Sequence, residues 1–334
     1  LSAPSLFATT NTALPDKYVN ETRSITIRQT NNAPALVATG VVSWHEDGEI
    51  KFQASNFITN FSDIDGDTLS KVVITSVPDA SEAQFLLNGV ALENGALIPT
   101  GDLDKLVLKP LADFNGVFTF KYKASDGYLL SNESTVTVTI NAINDAPVVT
   151  SNQTLTAINE DILNTDNLGQ TIASIISDGT ITDVDGTAIE AIAITSINNS
   201  YGIWQYSINN GTSWANISTI NGAKINLGSS ALLLDNDSLL RFIPNANFNG
   251  TSTFEFRAWD KSSGTIGETT NPLALGGNNS VSADVKTATI TITSVNDTPT
   301  TENKTISIDE DVAYVFTTND FKFTDVDTSD VLTS

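Results

Sequence analysis

The chain has 334 residues, with 39 Asp and Glu against 16 Lys and Arg and a formal net charge of −23. That excess excludes nucleic acid as a partner, because phosphate binding needs clustered Lys and Arg; it also disfavours anionic membrane surfaces and favours cations. With no cysteine in the chain, disulfides and thiolate zinc sites are excluded, and no run approaches the ~18 apolar residues of a membrane helix.

Charged residues are only 16% of the chain and hydrophobic residues 40%. The acids are therefore concentrated at particular places, and enough apolar surface remains for folded cores. The length allows roughly two to three domains.

In chain order, the first predicted strand is TRSITIR, with Ile25 and Ile27 alternating against polar residues. It runs into Asn31-Asn32-Ala33-Pro34. The acidic pair Glu46-Asp47 follows, then the turn Asp63-Ile64-Asp65, then Phe114-Asn115-Gly116 and an aromatic strand Phe118-x-Phe120-x-Tyr122 ending at Asp126. The strand STVTVTI, with Val136, Val138 and Ile140, leads to Asn144-Asp145-Ala146-Pro147. The same landmarks then recur in the same order. They are Glu160-Asp161, Asp183-Val184-Asp185, Phe248-Asn249-Gly250, Phe254-x-Phe256-x-Ala258, Asp260, TATITIT and Asn296-Asp297-Thr298-Pro299. Glu310-Asp311 and Asp325-Val326-Asp327 open a third round.

Alternation of β-branched and polar residues marks half-buried antiparallel strands, and the prolines are expected to end them. No helix pattern stands out. Short strands separated by Asn, Asp and Gly turns predict an all-β fold of tandem Greek-key sandwiches, about seven strands each, arranged end to end. The expected divisions are the tail of one repeat (1–32), a repeat (33–145), a longer repeat (146–297) and the head of another (298–334). The longer repeat carries an insertion with Trp204, Tyr206 and Trp214. It also has 37 positions between Asp260 and Asp297 against 19 between Asp126 and Asp145. The second insertion, with GGNNS at 276–280, reads as a long hairpin loop.

The recurring acids point to calcium, which takes six to eight oxygen ligands that no single short turn supplies. Loops gathered at one end of a sandwich can supply them. Ordinary turn chemistry explains any one Asp-x-Asp but not the recurring set, since carboxylates packed closely repel by about 1 to 4 kcal/mol per pair. An EF-hand is excluded. After Asp63 the sixth loop position is Thr68 and the twelfth Ile74; after Asp183 they are Ala188 and Ile194, where glycine and glutamate are required.

These motifs resemble cadherin repeats, and more closely the cadherin-like calcium-binding extender repeats of large bacterial surface adhesins of the RTX type. The resemblance covers nearly the whole chain. It implies calcium held between repeats by an early glutamate, an Asn-Asp linker and two aspartate motifs of the next repeat. One joint would then use Glu46, Asn144, Asp145, Asp183, Asp185 and Asp260. The next would use Glu160, Asn296, Asp297, Asp325 and Asp327, and the preceding one Asn32, Asp63, Asp65 and Asp126, with Asp67 in addition. Glu310 stands where the early glutamate of a further joint would be. The mid-repeat Asp-Arg-Glu motif of animal cadherins has no match, which implies fewer ions per joint, and Asn31-Asn32 lacks the linker aspartate.

His45, the single histidine, has no nucleophile elbow to serve and reads as solvated beside Glu46. Every carboxylate pair recurs with the repeat, whereas a glycosidase pair would occur once, so the chain reads as no enzyme. Trp204, Tyr206 and Trp214 read as core residues. The expected role is a calcium-rigidified, extracellular or cell-surface segment of an adhesin, with Ca2+ as cofactor and neighbouring repeats of the same chain as partners. A glycan or protein ligand on the cell surface is the further partner, and no nucleic acid or membrane insertion is expected. Two other readings are a carbohydrate- or peptide-binding module in the longer repeat, and a filament subunit joined by strand exchange between partial terminal repeats.

Overall fold

A computed structural model describes residues 30–37, 40–176, 178–186, 191–217, 219–220, 223–224, 230–270 and 274–327. The strand expected around Ile25 and Ile27 lies outside them. Contacts divide the chain into two compact units. One comprises Leu1–Val42, Glu49–Lys109 and Phe118–Val138; the other comprises Ser43–Gly48, Pro110–Val117 and Thr139–Ser334. The second unit thus takes in two loops of the first sequence repeat, one of which carries Glu46.

In the first repeat Lys71–Ser76 pairs antiparallel with Ala96–Pro99 on one side and with the aromatic strand Gly116–Ser125 on the other. The sheet continues to Ser134–Asn141 and Gly40–His45. A second sheet orders Ile50–Lys51, Leu106–Pro110, Ala83–Leu87 and Val90–Ala91. The alternation of the aromatic strand does what its period of two requires. Phe118, Phe120 and Tyr122 are all buried. Phe120 meets Phe85 and Phe52 edge-on, with centroids 4.8 and 6.0 Å apart, and Tyr122 meets Phe57 at 5.3 Å.

The second repeat is built alike. Gly250–Ala258 lies between Lys286–Thr293 and Ile192–Ile197, and the sheet continues through Ala231–Leu234 to Thr269–Thr270. Gln153–Thr154 and Ile158–Asn159 join its other edge, both parallel to Lys286–Thr293. The facing sheet orders Gln170–Thr171, Leu239–Pro244, Gly202–Ser207 and Ala215–Asn216. Both aromatic strands cross their inner neighbour with a register shift, between Lys121 and Tyr122 in the first repeat and between Ile194 and Ser196 in the second. Trp204, Phe242, Phe254 and Phe256 fill the core between the sheets. Residues 300–324 begin a further pair, Thr300–Glu302 with Lys322–Thr324.

Four expectations change. Short helices do occur: Ala54–Ile58 and Ile172–Ile175, with 3-10 turns at Thr100–Lys105 and Thr318–Asp320. Strands Ser134–Asn141 and Lys286–Thr293 stop six residues before Pro147 and Pro299, so proline does not end them. Of the three inserted aromatics, Trp204 and Tyr206 are core but Trp214 is only half-buried, under the guanidinium of Arg241 at 3.9 Å. The described part of the 261–283 insertion is also more than a hairpin loop. Trp259 and Val281 bridge, and with Ala191, Ala193, Ala231 and Leu233 they form a small second core.

Candidate metal centre

Each Asp-x-Asp segment is an Asx turn. Asp183 Oδ1 accepts from the amide of Asp185 at 2.9 Å, Asp325 Oδ1 from that of Asp327 at 2.9 Å, and Asp63 Oδ1 from that of Asp65 at 2.7 Å. The turn is therefore ordinary local chemistry, and it aims the second carboxylate at a linker. Asp185 Oδ2 accepts from the amide of Asp145 at 2.5 Å, and Asp327 Oδ2 from that of Asp297 at 2.7 Å. The linker asparagine fixes the chain just before. Asn144 and Asn296 each donate their side-chain amide to the carbonyl of the following aspartate, at 3.0 and 3.1 Å.

The glutamates arrive from the other side. Glu46 is 2% exposed, and its Oε1 accepts from the amide of Ile143 at 2.6 Å while its own amide bonds the carbonyl of Asn141. Glu160 is 5% exposed and repeats this with Val295, at 2.8 Å, and Thr293. One oxygen from each of Glu46, Asp145 and Asp185 lies within 4.8 Å of the other two, and Glu160, Asp297 and Asp327 form the same group.

Three oxygens in these groups are buried without any hydrogen-bond partner: Asp145 Oδ2, Glu160 Oε2 and Asp297 Oδ2. Burial pushes the Asp145 carboxyl above its ordinary value, and the charges of Asp47, Asp185, Asp113 and Glu46 push it the same way. Asp297 is raised by burial, then by Asp161, Asp327, Glu160 and Asp325. A buried carboxylate oxygen left bare costs about 1–3 kcal/mol or more. Two such sites of one geometry fit a hard cation, which takes carboxylate oxygens readily.

Asp183 and Asp260 stand beside the first group but outside it. Burial raises Asp183, with the charges of Asp185 and Asp260 adding to the shift and the Asp185 amide opposing it. Asp260 Oδ2 accepts from the Asn144 side chain at 2.9 Å and Oδ1 from the amide of Ser262. Asp325 forms its turn without joining the second group. Glu310 is exposed and belongs to no carboxylate group among the described residues.

The segment at Asn31-Asn32 differs. Asp65 Oδ2 accepts from the amide of Asn32 at 2.6 Å, as at the other linkers, but also from its side-chain amide at 3.0 Å. Asp126 Oδ2 takes the Asn31 side chain at 2.8 Å, which holds Asp126 below its ordinary value. Asp67 only donates its amide to Asp63 Oδ1, at 3.4 Å. Asp63 Oδ2 remains buried and bare.

Sequence reasoning left out Asp47, Asp113 and Asp161 as site charges, and Asn115, which donates to Glu46 Oε2 at 3.5 Å. The signal was present for Asp47 and Asp161. Asp47 and Asp161 complete the recurring acidic pairs, and Asp113-Phe114-Asn115-Gly116 opens on a residue at φ 59°, as Asn247 does at φ 58° in the second copy.

Residues 30–141 match the model of a family described as a cadherin-like domain. No curated protein matches the chain. Among solved structures the chain is similar to human mucin-like protocadherin EC1-2, with 11% identity, 78% of this chain and 98% of that one covered, and a TM-score of 0.36. It is similar to human CDH23 EC21-23, with 12% identity, coverage of 88% and 80%, and a TM-score of 0.41. Mouse cadherin-23 EC22-24 gives 14% identity, 80% and 69%, and 0.37. The sheets make the class an all-β sandwich protein, in which residues 30–141 match the cadherin-like domain model. No helix among the described residues is long and apolar enough to cross a membrane.

Proposed function

We propose that the chain is a segment of extracellular cadherin-like repeats, 33–145 and 146–297 with parts of two others, stiffened by Ca2+ at their linkers and serving adhesion. The observation that carries this reading is the duplicated group with its bare carboxylate oxygens: Glu46, Asp145 and Asp185, then Glu160, Asp297 and Asp327. Each group draws on one repeat's glutamate, the linker, and the next repeat's Asx turn. Three carboxylates, with Asp47 and Asp113 near the first group, supply much of a calcium shell, and carbonyls and water complete it. The recurrence also separates the acids from catalysis, since both groups hold the same residue types in the same roles. Organisation as a bacterial surface adhesin rests on the sequence resemblance, and we keep it as part of the reading.

The Asn31-Asn32 linker is the exception. There the Asn32 side-chain amide donates to Asp65 where the other linkers bring an aspartate carboxylate; Asp63 Oδ2 stays bare, but with one carboxylate fewer this linker is expected to hold calcium weakly or not at all. Calorimetric titration of the metal-stripped chain with Ca2+ tests the whole. Two sites are expected, with dissociation constants of about 10⁻⁴–10⁻³ M as in extracellular modules. Asp145→Asn and Asp297→Asn should each remove one. A chain that takes up no calcium at 10 mM, roughly tenfold above that range, sinks the reading.

A further inference from the structure

The second repeat carries a cavity built by two loops that are longer than their counterparts in the first. The helix starts 8 positions after Glu46 in the first repeat (46 to 54) but 12 after Glu160 in the second (160 to 172). The hairpin of the second sheet turns through two residues, 88–89, in the first repeat and through seven, 208–214, in the second. The two longer loops meet around a cavity of about 490 Å³ lined by Asn164, Gly169, Asn210, Trp214, Leu239 and Arg241 among others. That volume falls within the roughly 300–1,000 Å³ of small-ligand sites.

Arg241 ties the loops together. Its Nη1 donates to the carbonyls of Asn164 and Asn167 at 3.1 and 2.8 Å, its Nε to Gln205 Oε1 at 2.9 Å, and its plane covers Trp214. Counting back three from the strand-ending prolines Pro110 and Pro244, the first repeat has Val107 in this place. Gly169 seats the ring. At φ +74°, a Cβ there would stand 2.7 Å from Trp214 and 2.9 Å from the carbonyl of Leu240.

The guanidinium is half-buried yet meets no carboxylate among the described residues, in a chain with 39 of them, and its Nη2 has no hydrogen-bond partner among those residues. A partly buried cation without a counter-charge is costly, and with Nε and Nη1 engaged the Nη2 hydrogens remain to donate to a carboxylate. The remaining walls offer an aromatic ring and the amides of Asn164 and Asn210, groups that suit a C–H face and hydroxyls. We propose that this cavity binds an acidic saccharide, with a hexuronate carboxylate on Arg241 and the sugar ring against Trp214 and the two asparagines.

The test titrates the full chain with trigalacturonate, neutral galactotriose and triglutamate, followed by tryptophan fluorescence and calorimetry. Trigalacturonate should bind at least tenfold more tightly than either of the others. Arg241→Gln should weaken it at least tenfold. Asn210→Gly keeps the residue's φ of 53° accessible, so the turn persists, and it should weaken binding several-fold. Circular dichroism certifies the variants, and if R241Q does not fold, N210G carries the test. Failure of the intact chain to bind trigalacturonate overturns the assignment, as does an unchanged affinity in N210G. Equal binding of galactotriose removes the role of the guanidinium. Equal binding of triglutamate assigns the cavity to acidic peptides instead.

Discussion

Asp145 holds the clearest electrostatic tension in the molecule. Its Oδ2 is buried and bare, and four other carboxylates raise its pKa. Without metal it opposes folding. Asp145→Asn should therefore stabilise the chelated protein, by an amount of order 1 kcal/mol for one relieved carboxylate contact. The same change should destabilise the calcium-loaded protein by removing a ligand. Thermal melts of wild type and variant, with chelator and with Ca2+, check for opposite signs; equal signs would mean that no ion sits there. The pH dependence follows from the directions. A carboxyl whose folded value is raised above its ordinary 3.8, as in Asp145 and Asp297, destabilises the fold above that folded value, and the penalty disappears as pH falls through it. Asp126, held low by Asn31, contributes stability above its ordinary value that is lost only as pH falls through its lowered one. Acidification through the raised values of these two groups towards 3.8 should thus raise the melting temperature of the chelated protein. It should lower that of the calcium-loaded protein, where protons compete with the ion. Parallel melts in chelator and in calcium over that range read both trends. These residues were legible in sequence because they recur. Asp113 and Asn115 were not, because a turn residue's role as a neighbour becomes visible only once the loops are brought together.

At the scale of elements, the strand ends were misread for an instructive reason. The sequence shows Pro147 and Pro299, and proline does stop ladders. The strands stop earlier because a glutamate side chain takes the amide two positions past the strand end, Ile143 or Val295. A side chain from a distant loop competes with the ladder, and no local pattern reveals that. The prediction is specific. Glu46→Ala should speed hydrogen exchange at the Ile143 amide at least tenfold, the factor that about 1.4 kcal/mol of lost protection gives, which is within the range of a charge-assisted hydrogen bond. Exchange at Val295 should not change. The main core of each of the two repeats was readable. Period-two apolar runs become the buried faces of Gly116–Ser125 and Gly250–Ala258, and Phe120→Ala should cost about 3–5 kcal/mol by emptying the site that Phe85 and Phe52 enclose. The short helices escaped notice because five and four residues are too few to show a 3.6-residue period. Their caps are local, Thr171 accepting the Ser174 amide and Asn56 accepting the Gln53 amide, but a cap before so short an apolar run is not distinctive in sequence.

Across the whole molecule the acids are placed where, on the proposed function, a metal would do locally what disulfides do in secreted domains. The chain has no cysteine, and its linkers at 142–147 and 294–299 hold few backbone bonds of their own beyond those to Glu46, Asp185, Glu160 and Asp327. An ion bound to the folded form adds RT ln(1 + [L]/Kd), about 2.7 kcal/mol at a hundredfold excess over Kd. That term acts where the unliganded chain is weakest. Local opening, and hence proteolysis, should concentrate at the linkers when calcium is withdrawn. Limited digestion of the full chain with a protease of broad specificity is the measurement. In chelator, early cuts should fall within 142–147 and 294–299, and excess Ca2+ should slow both by roughly the hundredfold that the binding term implies. The linker at Asn31-Asn32, where the Asn32 amide already occupies Asp65, should be cut at the same rate in both conditions. Uniform protection of all three linkers by calcium would contradict the distinction between them. Protection of none would remove the ions from the linkers altogether.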